Sequence, residues 1–554
     1  MKNTNQTIST EENINKEFFK WLFEKDNIEL CFEEDHKPRK DIHSRFPNIY
    51  YTPELKAFFE TYPMQRLKRI LQLSQMIDNN SNVLHTRYEH SLGVYNLKKN
   101  IILKQFLYDS DFRNYVEQNG LKYHLIAELI KSAGHDIGHL PLSHTLELSV
   151  IGKPGFHEEI GKRILLEYKD IQNVLINISP DMPKILEDVL NNDYFGFKLL
   201  DEGNYDIDRF DYLPRDLAYE GYPQSMSFKP FRLVAVDTET TNGVASLKKN
   251  PDNSIIVHER SSNKPTTFIP VFDISSIFDI ENFLNLRVTA YKESYFHPVT
   301  QIRDKAISTI INKAIEEKEP NGKNLQNFLS ILKNTKNSDD IDIYDWLKWD
   351  DLSLYNELLD IAEFSNDKSL RDATSFAIPS LDQLLDISAK MLGLKNHSQP
   401  LTNEDKQFLK RLRNYISNKN ELTEKLTDFN YWNKCIKFTC KPEIIEKLKT
   451  DSSLPIQFYS HKVTGYNPKS PLYFKNFDGK IFAYDDIPNR PKKVSSSPVI
   501  IDVAFCLLPF VDETAFDKPD LKLLDGINNY TFGKSYFNRP SPSAIYVENS
   551  LDER

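Results

Sequence analysis

The sequence predicts a mainly α-helical protein with small β-hairpin insertions and a mixed α/β C-terminal lobe. Three observations carry this reading. Apolar residues recur at helical spacing through most of 40 to 225, as in Leu125, Ile126, Leu129, Ile130 and Ala133 of LIAELIKSAGHDIGH. Short β-branched and aromatic runs bounded by turn residues gather in 230–272 and again towards the C-terminus. A length of 554 residues with 40% hydrophobic and 27% charged side chains supports a large buried core.

The elements follow in order. The polar opening MKNTNQTIST has no apolar signal core, and FFKWLFEKDNIEL then fits a short amphipathic helix, a docking arm within 1–30. PELKAFFETYPMQRLKRILQLSQM sets Leu67, Ile70, Leu71 and Ser74 at helical spacing. The helix of LIAELIKSAGHDIGH should end or kink at Pro141. FRLVAVDTET, SIIVHE and TTFIPVF read as strands, with NPDN as a turn. Helix returns from about Ser276 to Lys318, EKEPNGKNLQ reads as a surface loop, and helices including SLDQLLDISAKMLGL and NEDKQFLKRLRNYI run on to about 450. PIQFYSHKV, PLYFKNF and KIFAYDDI read as strands, with an Asp-Gly hairpin turn in NFDGK. The apolar run Pro498–Val511 contains Asp502, is too short to span a bilayer, and reads as a buried strand pair. The expected organisation is an arm at 1–30, a core at 31–360 and a lobe at 361–554.

The formal net charge of −10 argues against a surface built for phosphate backbone, so nucleic-acid binding would need a local patch, whereas a small phosphorylated substrate needs only a few basic residues in a pocket. Cys31, Cys435, Cys440 and Cys506 form no CxxC pair, which argues against a disulfide framework or a cysteine zinc site and for a reducing compartment. The expectation is a soluble, cytoplasmic protein with no membrane segment.

Three clusters concentrate ligand-type side chains: LHTRYEHSLGV with His85, Arg87 and His90; GHDIGHLPLSH with His135, Asp136, His139 and His144; and YDIDRFDYLPRD with Asp206, Asp208, Arg209, Asp211, Tyr212, Arg215 and Asp216. Imidazole and carboxylate together suit a divalent transition metal. His135 and His139, four apart, would project from one helix face beside Asp136, and His90 and Asp208 could complete two histidines and two carboxylates. Gly134 and Gly138 allow close backbone approach. Such a site can lower the pKa of a bound water. Tyr212 and Asp216 follow Asp208 at four-residue steps, on one side of a helix.

These motifs resemble the HD-domain metal-dependent phosphohydrolases and, within them, the deoxynucleoside triphosphate triphosphohydrolases, both the bacterial dGTPase type and the vertebrate SAM-and-HD-domain enzyme. TRYEHSLGV is similar to that group's xRFEHSLGV, GHDIGHLPLSH to HDLGHGPFSH, and DIDRFDYLPRD to DxDxxDYxxRD. The likeness reaches back to DIHSRFPNIYYTPELKAFFETYPMQRLKRILQLS and forward through NLRVTAYKESYFHP to about 360. It implies an HD-domain helical core with His90, His135, Asp136 and Asp208 as ligands to a divalent metal (Mn, Fe, Mg or Zn). It implies Arg87 on a phosphate, and His139, His144 and His157 around the α-phosphate, with His157 of GFHEEIGKRIL the general-acid candidate. Arg209 and Arg287 would contact phosphates, Tyr212 and Asp216 the sugar, Gln72 the sugar 3′-hydroxyl, and Tyr295 the base side. A homo-oligomer is implied as well. Arg87, Arg209 and Arg287 also make chemical sense as a guanidinium clamp on a triphosphate.

The sequence departs from the family pattern at Leu140 and Leu142, which replace glycine and phenylalanine, and at Phe296, where the vertebrate enzyme has a base-contacting glutamine. QRLK, with Gln65 and Lys68, stands where that enzyme's effector segment reads QRLR, and lysine cannot repeat arginine's bidentate contact. The expected reaction is attack by metal-activated water on the α-phosphorus of a dNTP, releasing deoxynucleoside and triphosphate. The alternatives are another HD-type nucleotide phosphohydrolase or phosphodiesterase, and a non-catalytic nucleic-acid-binding regulator on the same fold.

Overall fold

The computed structural model describes residues 2–34, 48–73, 83–191, 204–221, 231–236, 238–241, 244–257, 267–295, 323–335, 337–367, 457–469, 471–488, 499–505 and 544–548, with a few isolated positions between. The helices expected in SLDQLLDISAKMLGL and NEDKQFLKRLRNYI, together with Phe296, Cys435, Cys440 and Cys506, lie outside these residues.

The fold is mainly helical, as expected. Helix α1 (Lys2–Phe23) is longer than the short arm expected, because the polar opening joins it. It is no loose appendage: Phe18 and Phe19 are fully buried in the main core. A hairpin follows, β1 (Cys31–Glu34) antiparallel to β2 (Asn48–Tyr51). The sequence pattern had confined strands to later stretches, and four-residue strands carry too few alternations to stand out. Then come α2 (Pro53–Phe59), α3 (Tyr62–Arg66), α4 (Arg87–Tyr108), α5 (Ser110–Gln118) and α6 (Lys122–Gly134). After them lie a short turn α7 (His144–Leu146), α8 (Phe156–Glu167), α9 (Lys169–Ile178), α10 (Met182–Leu190) and α11 (Ile207–Tyr219).

Local sequence explains where the two site-bearing helices begin. Thr86 and Glu89 form a capping box at α4, with the Glu89 carboxylate accepting the Thr86 N–H at 2.6 Å. Asp206 caps α11 by accepting the Arg209 N–H at 2.7 Å. The helices press together at Gly93, where an added Cβ would lie 2.0 Å from Asp211 Oδ1 and 2.3 Å from an Arg215 nitrogen. Only glycine fits there.

The expected NPDN turn is present, and the described part of SIIVHE, up to Val257, contributes isolated bridges at Ile255 and Val257. Strands β3 (Phe231–Val236) and β6 (Thr267–Asp273) pair antiparallel, with the hairpin β4 (Thr238–Thr241) and β5 (Val244–Leu247) between them in sequence. Helix α12 (Ile277–Ala290) follows, then α13 (Lys323–Asn334), α14 (Ile343–Leu347) and α15 (Asp351–Phe364). Of the later strands, β7 (Gln457–Val463) pairs with β10 (Val499–Phe505), which also pairs with β11 (Ala544–Glu548). Strand β8 (Tyr473–Lys475) turns through NFDGK into β9 (Ile481–Ala483), and β8 joins β6 in parallel. One sheet, β3-β6-β8-β9, therefore crosses the boundary expected at 360/361. No described helix is long and apolar enough to cross a membrane.

Candidate active site

Three segments converge on one point. The first turn of α4 supplies Arg87 and His90, the turns after α6 supply His135 and Asp136, and the first turn of α11 supplies Asp208. His90 Nε2 lies 2.9 Å from Asp208 Oδ1 and 3.1 Å from His135 Nε2. His135 Nε2 lies 3.5 Å from Asp208 Oδ1 and 3.4 Å from Asp136 Oδ1, and His90 Nε2 is 3.7 Å from Asp136 Oδ2.

One expectation is corrected here. His135 and His139 do not share a helix face, because α6 ends at Gly134. The chain continues in tight turns closed by Ile137 N–H to Gly134 O at 3.1 Å and His139 N–H to Asp136 O at 3.1 Å. Gly138 then passes so close to α8 that a Cβ would meet the His157 carbonyl at 2.1 Å. A continuous helix through Pro141 would not allow this approach.

The donor set fits a cation. His90 Nδ1 is 2.9 Å from Asp211, and His135 Nδ1 is 2.9 Å from the Ser132 carbonyl. With the Nδ1 protons on those acceptors, each ring in its neutral form would turn an Nε2 lone pair towards the other and towards the Asp208 and Asp136 carboxylates. Acceptors facing acceptors at these distances require positive charge between them. Without an ion a proton takes that place on His90: burial works against its charge, yet Asp208 and Asp211 outweigh burial and lift the imidazole to about 10. Burial also opposes charge on Asp136, but Arg87, His135 and His139 hold its carboxyl well below the usual range.

A second cluster lies beside the first. His139 Nε2 is 3.2 Å from Asp136 Oδ1, and its ring stacks on His157 at 3.8 Å. Burial, with Arg87 and His157 beside it, keeps His139 well below the usual histidine range and therefore neutral. Glu147 accepts from His157 Nδ1 at 3.0 Å and from His144 Nδ1 at 3.2 Å. Burial opposes its charge, but these two histidines hold Glu147 below the usual carboxylate range. The sequence reading passed over Glu147; its signal was the spacing His144-x-x-Glu147, one helical turn. The side chain of His144 is 61% exposed and that of His157 9%.

Arg87 bridges both clusters, donating to Asp136 Oδ2 at 2.5 Å and to Ser143 Oγ at 2.8 Å. Arg209 is held by Asp206 at 3.0 Å. Asp216 is buried, one oxygen 2.6 Å from His85 Nε2 and the other accepting the Tyr295 hydroxyl at 2.7 Å. It supports Tyr295 directly, a link the sequence spacing did not suggest. Tyr212 sits between the metal-type ligands and Tyr295, its ring 6.2 Å from His90 and 6.1 Å from Tyr295. Gln72 Oε1 and Arg287 Nε are buried without a hydrogen-bond partner among the described residues, and the Arg287 guanidinium lies 5.7 Å from the Tyr291 ring.

No protein-family model matches the chain. The chain is similar to an uncharacterized protein of Bacillus subtilis, YwfO, at 27% identity over 256 residues, covering 46% of this chain and 50% of that protein. It is 26% identical over 282 residues to L394 of Acanthamoeba polyphaga mimivirus, whose name describes it as HD domain-containing, covering 48% of this chain and 56% of that protein. It is 27% identical over 175 residues to a Dictyostelium discoideum protein named as a deoxynucleoside triphosphate triphosphohydrolase SAMHD1 homolog, covering 30% of this chain and 33% of that protein. The chain spans about half the length of the first curated relatives it matches. A phosphohydrolase of Bacteroides thetaiotaomicron shares the fold with a TM-score of 0.50 at 18% identity, over 83% of this chain and 97% of that one.

Proposed function

We propose that the protein hydrolyses deoxynucleoside triphosphates to deoxynucleoside and triphosphate with a divalent metal at His90, His135, Asp136 and Asp208. The observation that carries this is the convergence of two imidazole lone pairs and two carboxylates beside an arginine and a histidine–glutamate cluster. A divalent ion supplies Lewis-acid polarisation of a phosphoryl oxygen and acidifies a water near neutral pH. Arg87, Arg209 and Arg287 meet the triphosphate charge. Glu147 accepts from Nδ1 of His157 and of His144 and so favours the imidazolium form, whose Nε2 proton can pass to the departing sugar 5′-oxygen. His157 is the proposed donor, with the more exposed His144 sharing its carboxylate. His139 stays neutral and orients Asp136.

Gln72 Oε1, without a partner among the described residues, supports an acceptor role towards the sugar 3′-hydroxyl, with Tyr212, Asp216 and Tyr295 as the other sugar-side and base-side groups. A pocket closed around deoxyribose leaves a 2′-hydroxyl crowded and unpaired, worth about 1–3 kcal/mol, or roughly ten- to a hundredfold in kcat/KM. The test is incubation with each dNTP and NTP and Mn²⁺ or Mg²⁺, followed by product analysis. Triphosphate release with dGTP and dATP favoured over GTP and ATP is expected, with the preference reduced in Gln72→Ala. Equal deoxy and ribo rates would remove the sugar assignment, release of phosphate or pyrophosphate would move the protein to another phosphohydrolase class, and no turnover would leave the non-catalytic reading.

A further inference from the structure

A short stretch far along the chain ties down both loops that flank the site. The Trp346 indole donates to the Gly138 carbonyl at 2.9 Å, and the Trp349 carbonyl accepts from Arg66 Nε at 2.8 Å. The same Arg66 reaches the His139 carbonyl at 2.7 Å, and Asp350 pairs with Arg69 at 2.6 Å. Asp351, fully buried at the start of α15, then accepts two backbone N–H groups, one per oxygen: Leu71 at 2.8 Å and Leu142 at 2.8 Å.

Each of those N–H groups belongs to a segment that carries site residues. Leu71 precedes Gln72, whose own N–H bonds the His85 carbonyl at 3.0 Å, while the Arg87 N–H bonds Ile70 at 2.9 Å. Leu142 precedes Ser143 and His144. Leu142 and Ser143 both have positive φ, 55° and 53°, a conformation that non-glycine residues adopt only when surrounding contacts impose it. The contacts that impose it are Asp351 on the Leu142 N–H and Arg87 on the Ser143 hydroxyl.

We infer that Asp351 is a positioning residue: by holding the Leu71 and Leu142 N–H groups at once, it sets the spacing between Gln72 on the sugar side and the His144–Glu147–His157 cluster on the phosphate side. This rests on the proposed dNTP chemistry for its consequence, though the clamp itself is independent of it. A carboxylate suits the task because it offers two acceptors and no donor, whereas an amide must turn a donor onto one of the two N–H groups. Burial pushes the carboxyl up to about 7, with the Leu71 and Leu142 N–H groups opposing, Asp350 adding to the rise and Arg87 opposing it. Measurements at about pH 8 therefore keep it ionised.

The experiment compares full-length wild type with Asp351→Asn. Amide exchange should show Leu71 and Leu142 losing protection while α4 and α6 keep theirs, with metal content unchanged. Turnover of dGTP should fall about 10- to 100-fold in kcat, as a misplacement near 1 Å does, and the dGTP/GTP preference should shrink with it. Retained protection at both amides, or unchanged kcat and preference with protection lost, would overturn the inference. A uniform loss of protection with unchanged kcat per folded molecule would show a merely structural residue and overturn it too. Should Asp351→Asn fail to fold, Asp351→Ser, whose hydroxyl can turn its proton away, carries the same readout. A wild type that turns over no dNTP would defeat the functional proposal, while the exchange pattern would still decide the clamp.

Discussion

Helix α4 buries charge at its first turn and again near its middle. At its first turn Arg87 and His90 meet Asp136, Asp208 and Asp211; about two turns on, Lys98 and Lys99 are as deeply buried, Lys98 against Glu128 at 2.9 Å and Lys99 under the attraction of Glu11. In the second region Lys98 is matched by Glu128, while at Lys99 burial outweighs the attraction of Glu11. In the first, two imidazole nitrogens and two carboxylates crowd together at 2.9 to 3.7 Å, a set of ligand-type atoms that a cation can join. Buried charge by itself therefore does not mark a functional site in this molecule. The metal proposal rests instead on the convergence of ligand-type atoms from three segments.

The sharpest way to break the comparison is to remove a ligand from the first region. Asp136→Ala should abolish both metal binding and dNTP turnover, a loss of several kcal/mol, or roughly a thousandfold or more in rate. Wild-type activity at wild-type metal content would refute the assignment. Lys98→Met acts on the second region. It leaves Glu128 buried without this counter-charge and should destabilise the fold by about 3–5 kcal/mol in urea titrations, with metal content and kcat per folded molecule unaltered. Lost turnover at full stability would mean that the two regions are not separate.

A smaller effect is expected from Asp211→Asn, which weakens the hold on His90 Nδ1 without touching the proposed ligand atom. Metal affinity should fall about 10- to 100-fold, measured by titration of the folded variant. An unchanged affinity would show that Asp211 serves only Arg215, which it also holds at 2.8 and 2.9 Å. The smallest effect concerns pH. Burial pushes the Lys99 ammonium down from 10.5 to about 7, with Glu11 opposing the drop. Between those values the unfolded chain holds a proton that the folded one has released, so Lys99 adds stability as pH rises from about 7 towards 10.5. The urea midpoint of wild type, relative to Lys99→Met, should climb between about pH 7 and pH 9. A flat or falling difference would place Lys99 in water instead of in the core.

Much of the site was legible before any coordinates, though not its shape. Helical periodicity located the segments that became α4, α6 and α11, and residue type singled out the ligand candidates that these segments bring together. The end of α6 at Gly134 was misjudged, because the apolar pattern continues through Ile137 and Leu140 and conceals a chain already turning to pack Gly138 against α8. The β1–β2 hairpin was too short to register, and the parallel pairing of β6 with β8 joins strands that no local pattern relates.

What the sequence by itself determined is what neighbours in the chain can settle. Thr86 with Glu89 starts α4, Asp206 starts α11, and the His-Asp pair sits at the end of an apolar helix, because caps and periodicity act over a few residues. Tertiary structure alone decided which nitrogen of His90 faces the site, since Asp211 lies 121 residues away. It alone decided that Gly93 must be glycine, and that a carboxylate 280 residues from Leu71 and 209 from Leu142 would hold the two loops together. The physical reason is range. A hydrogen bond acts over about 3 Å of space regardless of distance along the chain, so its partners become known only when packing brings them together.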